Sequence, residues 1–504
     1  MNRRLCIGFL ACLWLVCLYR AVTQSIVHDE ALTYELYIAA PLSRIFSYFD
    51  ANHHFLNTLL MRIAVALFGV SEWALRLPAL AGAALYLAAV YQIAVNAFRT
   101  SAASGLALAL LTLNPLVLDF LVAARGYGMA LALFTYALAL LVRWGQNEQG
   151  RRPASLVKAA IALALSVAAN LVFAVPVLAV AVTALLLARP RRAVIPAGPA
   201  TPVARKLHKK VRKGKPAAGF PKPVPNPAYR YFLAPLAAAG LLFFIAAPIA
   251  QANASNFYVG SPSVAESLRS LASASLAHGG LLGTGRFARF VIDAVAFLLA
   301  PATVAAALAL GWRRRDALLL FTGGAAVGSA AALLLAHALW AVPFPVDRTG
   351  IYFLALVPLA MAALADSGTG NGALHKVFAA TFYGLGLASL VLFAAEFNIR
   401  SFQVWEYDAD TRQIAGRLAQ LATGGQPNSV RVGASWQLEP SLNFYRDKDR
   451  LTWMLPVERG SLVPGAGFYV LMAADRPVIG TLELKTMEEW PRSGSVLAVP
   501  AAPR

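Results

Sequence analysis

The stretch ALLLFTGGAAVGSAAALLLAHALW, residues Ala317 to Trp340, contains no Asp, Glu, Lys or Arg and indicates the fold of this chain most clearly. As an α-helix it would be roughly 36 Å long, enough to cross a hydrocarbon core of about 30 Å. Similar apolar runs recur along the sequence, where a soluble domain would show amphipathic periods. Runs of this kind must be helical, because lipid cannot satisfy open backbone N–H and C=O groups. The pattern predicts an all-α polytopic membrane protein.

The overall composition agrees with this fold class. Hydrophobic residues make up 59% of the chain and charged residues 13%, which lies outside the range of soluble domains. A net charge of +20 would suggest a nucleic-acid partner in a soluble protein. Here many basic residues lie in short loops on alternate sides of the apolar runs, as positive-inside topology requires, so we exclude nucleic acid. Cys6, Cys12 and Cys17 all lie in the first run and predict no disulfide framework.

The apolar runs predict about eleven transmembrane helices. They are expected at Leu5 to Val22, Leu77 to Ala97, Ala103 to Val122, Gly126 to Val142, Val157 to Leu171, Ala174 to Leu187, Tyr231 to Ala250, Phe290 to Trp312, Ala317 to Trp340, Ile351 to Ala365 and Val377 to Phe397. Basic loops such as Arg313 to Arg315 place the amino terminus in the cytoplasm and the carboxyl-terminal tail outside.

Three of these helices allow a second interpretation. Leu5 to Val22 also fits a cleaved signal peptide, because Ala21 to Thr23 resembles a cleavage site. We favour an uncleaved helix, since more apolar runs follow it. The short pair Val157 to Leu171 and Ala174 to Leu187 is compatible with one long tilted helix, which would reverse the topology downstream.

Two further segments differ from the apolar runs in composition. Residues 190–229 mix Pro, Ala, Lys and Arg without apolar periodicity, which predicts a flexible basic cytoplasmic loop. Its role is either topological or the binding of anionic headgroups, at roughly 1 kcal/mol per nearby cation. Residues 1–397 thus form a transmembrane domain, and residues 398–504 a small extracytoplasmic α/β domain. The expected elements of that second domain are helices Thr411 to Leu421 and Leu438 to Tyr445, and strands Val430 to Ser435 and Phe468 to Met472.

The first outer loop, residues 23–76, carries the carboxylate pair Asp29-Glu30 directly after the first helix. Ionisable groups this close to a membrane helix are costly unless they face water, a metal or a partner, so they are candidates for function. Asp29 is equally a good N-cap for a helix from Ala31 to Ala40. An amphipathic run from Met61 to Phe68 predicts that the same loop contains interfacial helices.

Three further groups are expected on the same side of the membrane. The Asn52-His53-His54 cluster beside Asp50 would provide metal ligands, a proton carrier or sugar contacts, although its spacing matches no zinc motif. Asp119, Arg125 and Tyr127 lie at the entrance of the fourth apolar run, and Arg348 at another outer end. An arginine fork suits two phosphate oxygens. The alternatives are an interfacial anchor for Arg125 and a salt bridge to Asp347 for Arg348.

In this order the residues resemble the glycosyltransferase C superfamily, especially the bacterial branch similar to the protein O-mannosyltransferases and the aminoarabinose transferase of lipid A. The resemblance covers about residues 1–400. It rests on Asp29-Glu30, Asn52-His53, Arg76-Leu77-Pro78, Ala124-Arg125-Gly126-Tyr127 and the Pro-x-x-Arg-like segment that ends at Arg348. The chain departs from the family at Ala123, where relatives often carry Glu and Asp119 is the nearest carboxylate, and at His54, where proline is usual.

The resemblance implies a hexosyl- or pentosyltransferase of the cell envelope, in the bacterial inner membrane, with a mannosyltransferase-like reaction. The sugar would pass from a polyprenyl phosphate to an acceptor hydroxyl with inversion, and membrane lipid would hold the donor tail. Asp29 would be the catalytic base and Glu30 a second catalytic contact. His53, His54, Asp119, Arg125, Tyr127 and Arg348 would bind substrate. The acceptor is left open between lipid, glycan and protein.

The need for a cofactor is also left open. A divalent metal ion would assist departure of the leaving group, and Glu30 and His53 are the side chains available to hold one. The alternative function is a transporter or flippase for a lipid-linked substrate, which would place ionisable residues near mid-membrane and often shows an internal repeat. A non-catalytic scaffold is the third interpretation.

Overall fold

The computed structural model describes residues 2–146, 153–187, 228–253, 256, 259–276, 281–283, 285–368, 372–422, 426, 429–460 and 462–501. The predicted fold class is confirmed, because the described chain is mostly α-helical and has one small sheet near its carboxyl-terminal end. The predicted basic loop, residues 190–229, lies almost wholly outside the described residues.

Most of the helices precede Phe397. They are α1 (Arg3–Thr23), α2 (His28–Thr33), α3 (Arg44–Ser47), α4 (Phe55–Phe68), α5 (Glu72–Ala97), α6 (Ser101–Thr112), α7 (Pro115–Phe120), α8 (Gly126–Gln146), α9 (Pro153–Ala169), α10 (Ala174–Leu187), α11 (Ala228–Ala246), α12 (Val264–Leu276), α13 (Arg286–Ala294), α14 (Ala300–Arg314), α15 (Ala317–Trp340), α16 (Ile351–Ser367) and α17 (Ala373–Glu396). A π-helical turn, Val295–Leu299, joins α13 to α14.

Within the described ranges, 7 helices are long and apolar enough to cross a membrane. They are α1, α5, α8, the continuous α13 to α14 unit, α15, α16 with its preceding turn, and α17. Within the same ranges, five shorter apolar helices accompany them, namely α4, α6, α9, α10 and α11. The chain is therefore a multi-pass membrane protein, and the number of about eleven crossings stays a prediction.

The expected helix from Ala103 to Val122 is wrong in one respect, because the structure breaks it at Asn114. Proline at N1 of α7 lacks the N–H that would continue the α6 ladder. The Asn114 side chain instead accepts a bond from the Val117 N–H, at 3.1 Å, and caps α7. The Tyr86 hydroxyl donates to the freed Leu111 carbonyl at 2.8 Å. This break turns the chain toward Arg125.

After Phe397 the chain forms a small α/β unit. Its elements are α18 (Thr411–Leu421), α19 (Glu439–Lys448), α20 (Val478–Thr481) and the strands β1 (Val432–Ala434), β2 (Phe468–Leu471), β3 (Leu484–Trp490) and β4 (Ser495–Pro500). The sheet order is β1-β2-β4-β3, with β1 parallel to β2 and both β2 and β3 antiparallel to β4. Sequence patterns had indicated α18, α19, β1 and β2 but not the β3–β4 pair.

The small α/β unit packs onto the helical part through Glu72, the first residue of α5. Its carboxylate pairs with Arg412 at 2.6 Å and Lys448 at 3.5 Å. The Tyr445 hydroxyl donates to Glu72 at 3.0 Å and accepts from the Ile26 N–H at 2.9 Å. Helix α19 thereby lies against α2, which carries the first candidate site residues.

Candidate active site

Asp29 lies in the first turn of α2, and the alternative role considered for it, that of an N-cap, is wrong. Val27 is the N-cap, and the Glu30 carboxylate accepts a hydrogen bond from the Val27 N–H at 3.1 Å. Helix α2 ends at Thr33 and continues as a π-helical turn, Tyr34–Ile38. The Asp29 side chain is therefore not used to start the helix and is available for other contacts.

Arg125 and Arg348 both reach Asp29. A guanidinium nitrogen of each lies 3.5 Å from the Asp29 Oδ2 atom. Arg125 comes from the turn between α7 and α8, and Arg348 from the 3-10 turn Asp347–Gly350 ahead of α16. The alternative salt bridge from Arg348 to Asp347 is not among the ion pairs of the described residues, and the Ser270 hydroxyl donates to Asp347 at 2.7 Å. Three distant segments thus meet at one carboxylate.

The electrostatic balance at Asp29 favours the charged form. Burial acts to raise the pKa of this carboxyl, but the guanidinium groups of Arg125 and Arg348 outweigh burial and hold the pKa below its ordinary value. The pairs are longer than the 2.7 to 2.9 Å that is usual for charge-assisted bonds. Among the described residues, Asp29 Oδ2 and the Nε atoms of both arginines have no hydrogen-bond partner. The cluster is therefore charged and buried, and some of its hydrogen-bonding atoms are without a partner among the described residues.

Glu30 has a different environment although it is the next residue. Its two oxygens accept from Arg76 Nε at 3.0 Å and from an Arg76 terminal nitrogen at 2.6 Å. The Ala124 N–H also donates to it. Both side chains are fully buried. This geometry resembles a structural ion pair and leaves little room for a substrate or a metal ion on Glu30.

Asp119 also lies apart from the Asp29 cluster. It pairs with Arg20 of α1, and its second oxygen accepts from the Gln403 N–H at 2.7 Å. The structure does not bring it to Arg125. Asp119 is the carboxylate nearest to Ala123 in the sequence, where relatives often carry Glu. In the structure, its charge holds α1 against α7 through Arg20.

His53 and His54 lie beside the cluster in apolar surroundings. Burial lowers the pKa of His53 to about 4, and the ring stacks on Tyr37 with centroids 4.4 Å apart. Burial, and then the charge of Arg125, holds the pKa of His54 well below its ordinary value. His54 contacts Tyr127 edge-on at 5.3 Å. Both histidines are therefore neutral near pH 7, which suits hydrogen bonding to hydroxyls better than carrying charge.

Tyr127 and the glycine before it complete this side of the site. The Tyr127 ring contacts His54 and Phe120, with centroids 5.3 and 5.0 Å away. A Cβ atom at Gly126 would overlap the Ala169 carbonyl oxygen and lie 2.8 Å from the His54 Cβ. Only glycine allows α8 to begin this close to α9. The close packing holds Arg125, the preceding residue, in place.

A metal ion does not fit the residues expected to bind it. Groups of three or more His, Cys, Asp and Glu side chains in metal-binding proximity are absent from the part of the chain that the structure describes. Glu30 is bound to the Arg76 guanidinium, and a second cation would have to displace it. We therefore derive no chemical step from a metal.

Two residues of the site were missed by sequence reasoning. Trp405 lies over Arg348, with the guanidinium carbon 5.6 Å from the ring centroid. Asp408 accepts a hydrogen bond from the His28 N–H at 2.6 Å. Both belong to the 3-10 segment Gln403–Asp408, which in sequence resembles a linker. The only signal available was the concentration of aromatic and acidic residues in the string Gln-Val-Trp-Glu-Tyr-Asp.

No protein-family model matches the sequence, and no functionally curated protein matches it. Among solved structures, the chain is similar to ArnT from Cupriavidus metallidurans, with 14% identity and a TM-score of 0.49 over 99% of this chain and 98% of that one. It is also similar to an oligosaccharyltransferase from Archaeoglobus fulgidus, with 16% identity and a TM-score of 0.43 over 94% of this chain and 70% of that one. A third is the arabinosyltransferase EmbB from Mycobacterium smegmatis, with 12% identity and a TM-score of 0.40 over 84% and 43%. At these identities and TM-scores, the similarities assign no residue role to this chain.

Proposed function

We propose that this protein is a membrane glycosyltransferase that moves a sugar, with inversion, from a polyprenyl-phosphate donor to an acceptor hydroxyl. The reaction would take place at the extracytoplasmic face of a bacterial inner membrane. The observation that carries the proposal is the buried cluster in which one carboxylate, Asp29, lies 3.5 Å from two arginines. The donor sugar is a hexose or pentose, and the acceptor is a lipid, glycan or protein.

The two arginines suit a phosphate group. Their guanidinium groups converge on one point and each keeps an Nε–H without a partner among the described residues. A phosphate between them would accept charge-assisted bonds from both forks. The apolar helices around the cluster would accommodate the polyprenyl tail in lipid. Arg348 retains 19% side-chain exposure, so its side is the more open one for entry.

Asp29 supplies the base. The acceptor oxygen would attack the anomeric carbon as the bond from that carbon to the phosphate oxygen breaks, and Asp29 would take the hydroxyl proton. Polyprenyl phosphate leaves with the bonding electrons, stabilised by Arg125 and Arg348. A general acid is unnecessary, because the phosphate is a weak base. Donor binding would draw both guanidinium groups from Asp29 and so raise its basicity when the acceptor must be deprotonated.

The other side chains would have supporting roles. His54 and Tyr127, beside the arginines, would contact the sugar or the phosphate as neutral hydrogen-bonding groups. His53, stacked on Tyr37, would shape the wall of the site. Glu30 and Asp119 would hold the surrounding segments through Arg76 and Arg20.

The test is a transfer assay with purified protein, a panel of radiolabelled polyprenyl-phosphate sugars and a lipid extract as acceptor source. We expect one donor to lose its label to an acceptor with the wild type and not with Asp29→Asn. Asp293→Asn is the matched control, because that carboxylate is half exposed and paired with Arg269 on the surface. Donor bound and translocated without cleavage would favour a flippase instead. Equal transfer by the wild type and Asp29→Asn would remove the mechanism.

A further inference from the structure

The turn at residues 124–126, between α7 and α8, is surrounded by buried polar atoms that have no hydrogen-bond partner among the described residues. They are Arg125 Nε, His54 Nε2, Asn57 Oδ1 and Asn170 Nδ2. These side chains come from the turn itself, from the start of α4 and from the residue after α9. Buried polar groups in proteins are nearly always paired, so this concentration of them around one turn points to a ligand.

Gly126 is the residue at which the backbones of these segments meet. A Cβ atom there would overlap the Ala169 carbonyl oxygen and lie 2.8 Å from the His54 Cβ atom. Asn170 follows Ala169 directly, so Asn170 and His54 both approach the start of α8. They are 2% and 6% exposed. Both therefore lie close to Arg125, a proposed ligand of the donor phosphate.

A backbone contact fixes the orientation of each asparagine amide. The Asn170 Oδ1 atom accepts from the Val172 N–H at 3.2 Å and caps the 3-10 turn that follows α9. The Asn57 Nδ2 atom donates to the Ala124 carbonyl at 3.2 Å. The atoms left for a ligand are therefore a donor on Asn170 and an acceptor on Asn57.

The chemistry of these remaining atoms matches a hydroxyl group. Burial, and then the charge of Arg125, holds the pKa of His54 well below its ordinary value, so the ring is neutral near pH 7 and offers both a donor and an acceptor nitrogen. A hydroxyl also donates and accepts, so it suits Asn170 together with Asn57 or His54. An ionised phosphate has no proton to give to the Asn57 oxygen, and the arginine forks suit it better.

We infer that His54, Asn57 and Asn170 form a subsite that binds a hydroxyl group of the donor sugar. The inference rests on the proposed function, in which Arg125 and Arg348 hold the donor phosphate. The sugar is joined to that phosphate, so it lies beside the same turn as these three uncharged side chains. The subsite therefore selects a donor with a hydroxyl, rather than an amino or acidic substituent, at the recognised position.

The alternative is that Asn170 only caps the turn after α9, with its amide bonded to water. The decisive variant is Asn170→Ser, because serine is also a good N-cap and lacks the amide N–H donors. Asn114→Ser is the matched control. Asn114 caps α7 through its Oδ1 atom in the same way, but its amide donates to the Ser275 hydroxyl at 2.9 Å.

The measurement is kcat/KM for transfer from a set of donors. Polyprenyl phosphates carrying labelled glucose, galactose, mannose, arabinose or xylose identify the sugar that is transferred, and analogues that each lack one of its hydroxyls are then compared with it. In the wild type, one analogue should lose about 10-fold to 100-fold in kcat/KM, because it leaves buried polar groups unpaired.

The variants show whether Asn170 is responsible for that loss. Asn170→Ser should remove most of the penalty for this one analogue and leave the penalties for the others unchanged, since changes on the two sides of one contact are not additive. Asn114→Ser should keep the wild-type pattern. A lower rate of Asn170→Ser with every donor alike would assign Asn170 to the cap and overturn the inference.

His54→Phe provides a second test if Asn170→Ser does not fold. It keeps an aromatic ring beside Tyr127, whose centroid lies 5.3 Å from that of His54, and it removes both nitrogens. The penalty for the same analogue should again fall. Equal transfer from every analogue by the wild type would contradict the subsite, as would a penalty that persists in both variants.

The outcomes separate this inference from the function beneath it. Transfer by the wild type, loss in Asp29→Asn and an analogue pattern that Asn170→Ser leaves unchanged would overturn the subsite and leave the glycosyltransferase standing. Absence of transfer by the wild type with every polyprenyl-phosphate sugar would overturn both.

Discussion

The neighbouring carboxylates Asp29 and Glu30 should give opposite phenotypes when each is replaced by its amide. Glu30→Gln is expected to destabilise the protein strongly, because it leaves the fully buried Arg76 without a counter-charge. Asp29→Asn is expected to abolish transfer while the protein remains folded. The contrast tests the division of roles that the structure suggests for an adjacent pair.

The size of the stability effect follows from the contacts of Glu30. Arg76 donates to it twice, at 3.0 and 2.6 Å, and the N–H groups of Val27 and Ala124 donate as well. Removing one partner of a buried pair of this kind costs about 3 to 5 kcal/mol. The pairs of Asp29 are longer, and Arg348 keeps 19% exposure, so Asp29→Asn should cost markedly less.

The loss of activity is expected from replacing Asp29. Removal of a general base lowers the rate by about 10² to 10⁴, so Asp29→Asn should lose transfer to that extent. Its donor affinity should increase, since the variant removes the carboxylate that competes with phosphate for Arg125 and Arg348. Donor should also stabilise this variant more than the wild type.

The measurements are thermal unfolding in detergent, followed by size-exclusion chromatography, and single-turnover transfer with a labelled donor. Asp293→Asn is again the control for loss of a surface carboxylate. A Glu30→Gln protein as stable as the wild type would refute the structural role of the buried pair. Transfer by Asp29→Asn at a near wild-type rate would refute the proposed base.

Three further predictions concern the donor site, Asp408 and the topology. Arg125→Ala and Arg348→Ala should each weaken donor binding by about 1.5 to 3 kcal/mol, with lysine rescuing only partly, as titration of labelled donor would show. Burial raises the pKa of Asp408 from 3.8 to about 8, so the stability that its proton provides declines as the pH rises from the unfolded value to the folded one. Asp408→Asn should flatten the fall of the unfolding temperature across that range. In a cysteine-free background, an impermeant reagent should label Thr486→Cys in cells with a permeable outer membrane and leave Lys209→Cys unlabelled until lysis.

The apolar helices were the most predictable part of the fold. The bounds expected for α10 and α15 agree with the structure at both ends, because uninterrupted apolar runs have few competing conformations. The break at Asn114 was missed, since a proline inside an apolar run is compatible with a kink or with a new helix. Strands β3 and β4 were missed because five of the seven residues of β3 are not buried and show no apolar alternation.

The sequence predicted which residues belong to the site better than it predicted which of them form ion pairs. Asp29, Arg125 and Arg348 were expected on one side of the membrane, and the structure brings them together. The partner of Glu30, in contrast, is Arg76. The two residues are 46 positions apart in the sequence, and no local sequence pattern specifies such a pair. Trp405 was missed for the same reason, because only the fold of the segment Ser401–Asp408 brings it to Arg348.

The Tyr445 hydroxyl, which joins Glu72 of α5 to the Ile26 N–H ahead of α2, has a consequence for engineering this protein. A chimera that exchanges the small α/β unit at a junction near residue 397 would replace the segment Ser401–Asp408, Tyr445 and Arg412 together. The Glu72 carboxylate would then lose the partners that Arg412 and Tyr445 provide. Such an exchange would alter transfer and folding at once. A chimera that preserves function must therefore keep the segment Ser401–Asp408, α18 and α19 together with the transmembrane helices of this protein. The exchange should be confined to the region beyond Lys448.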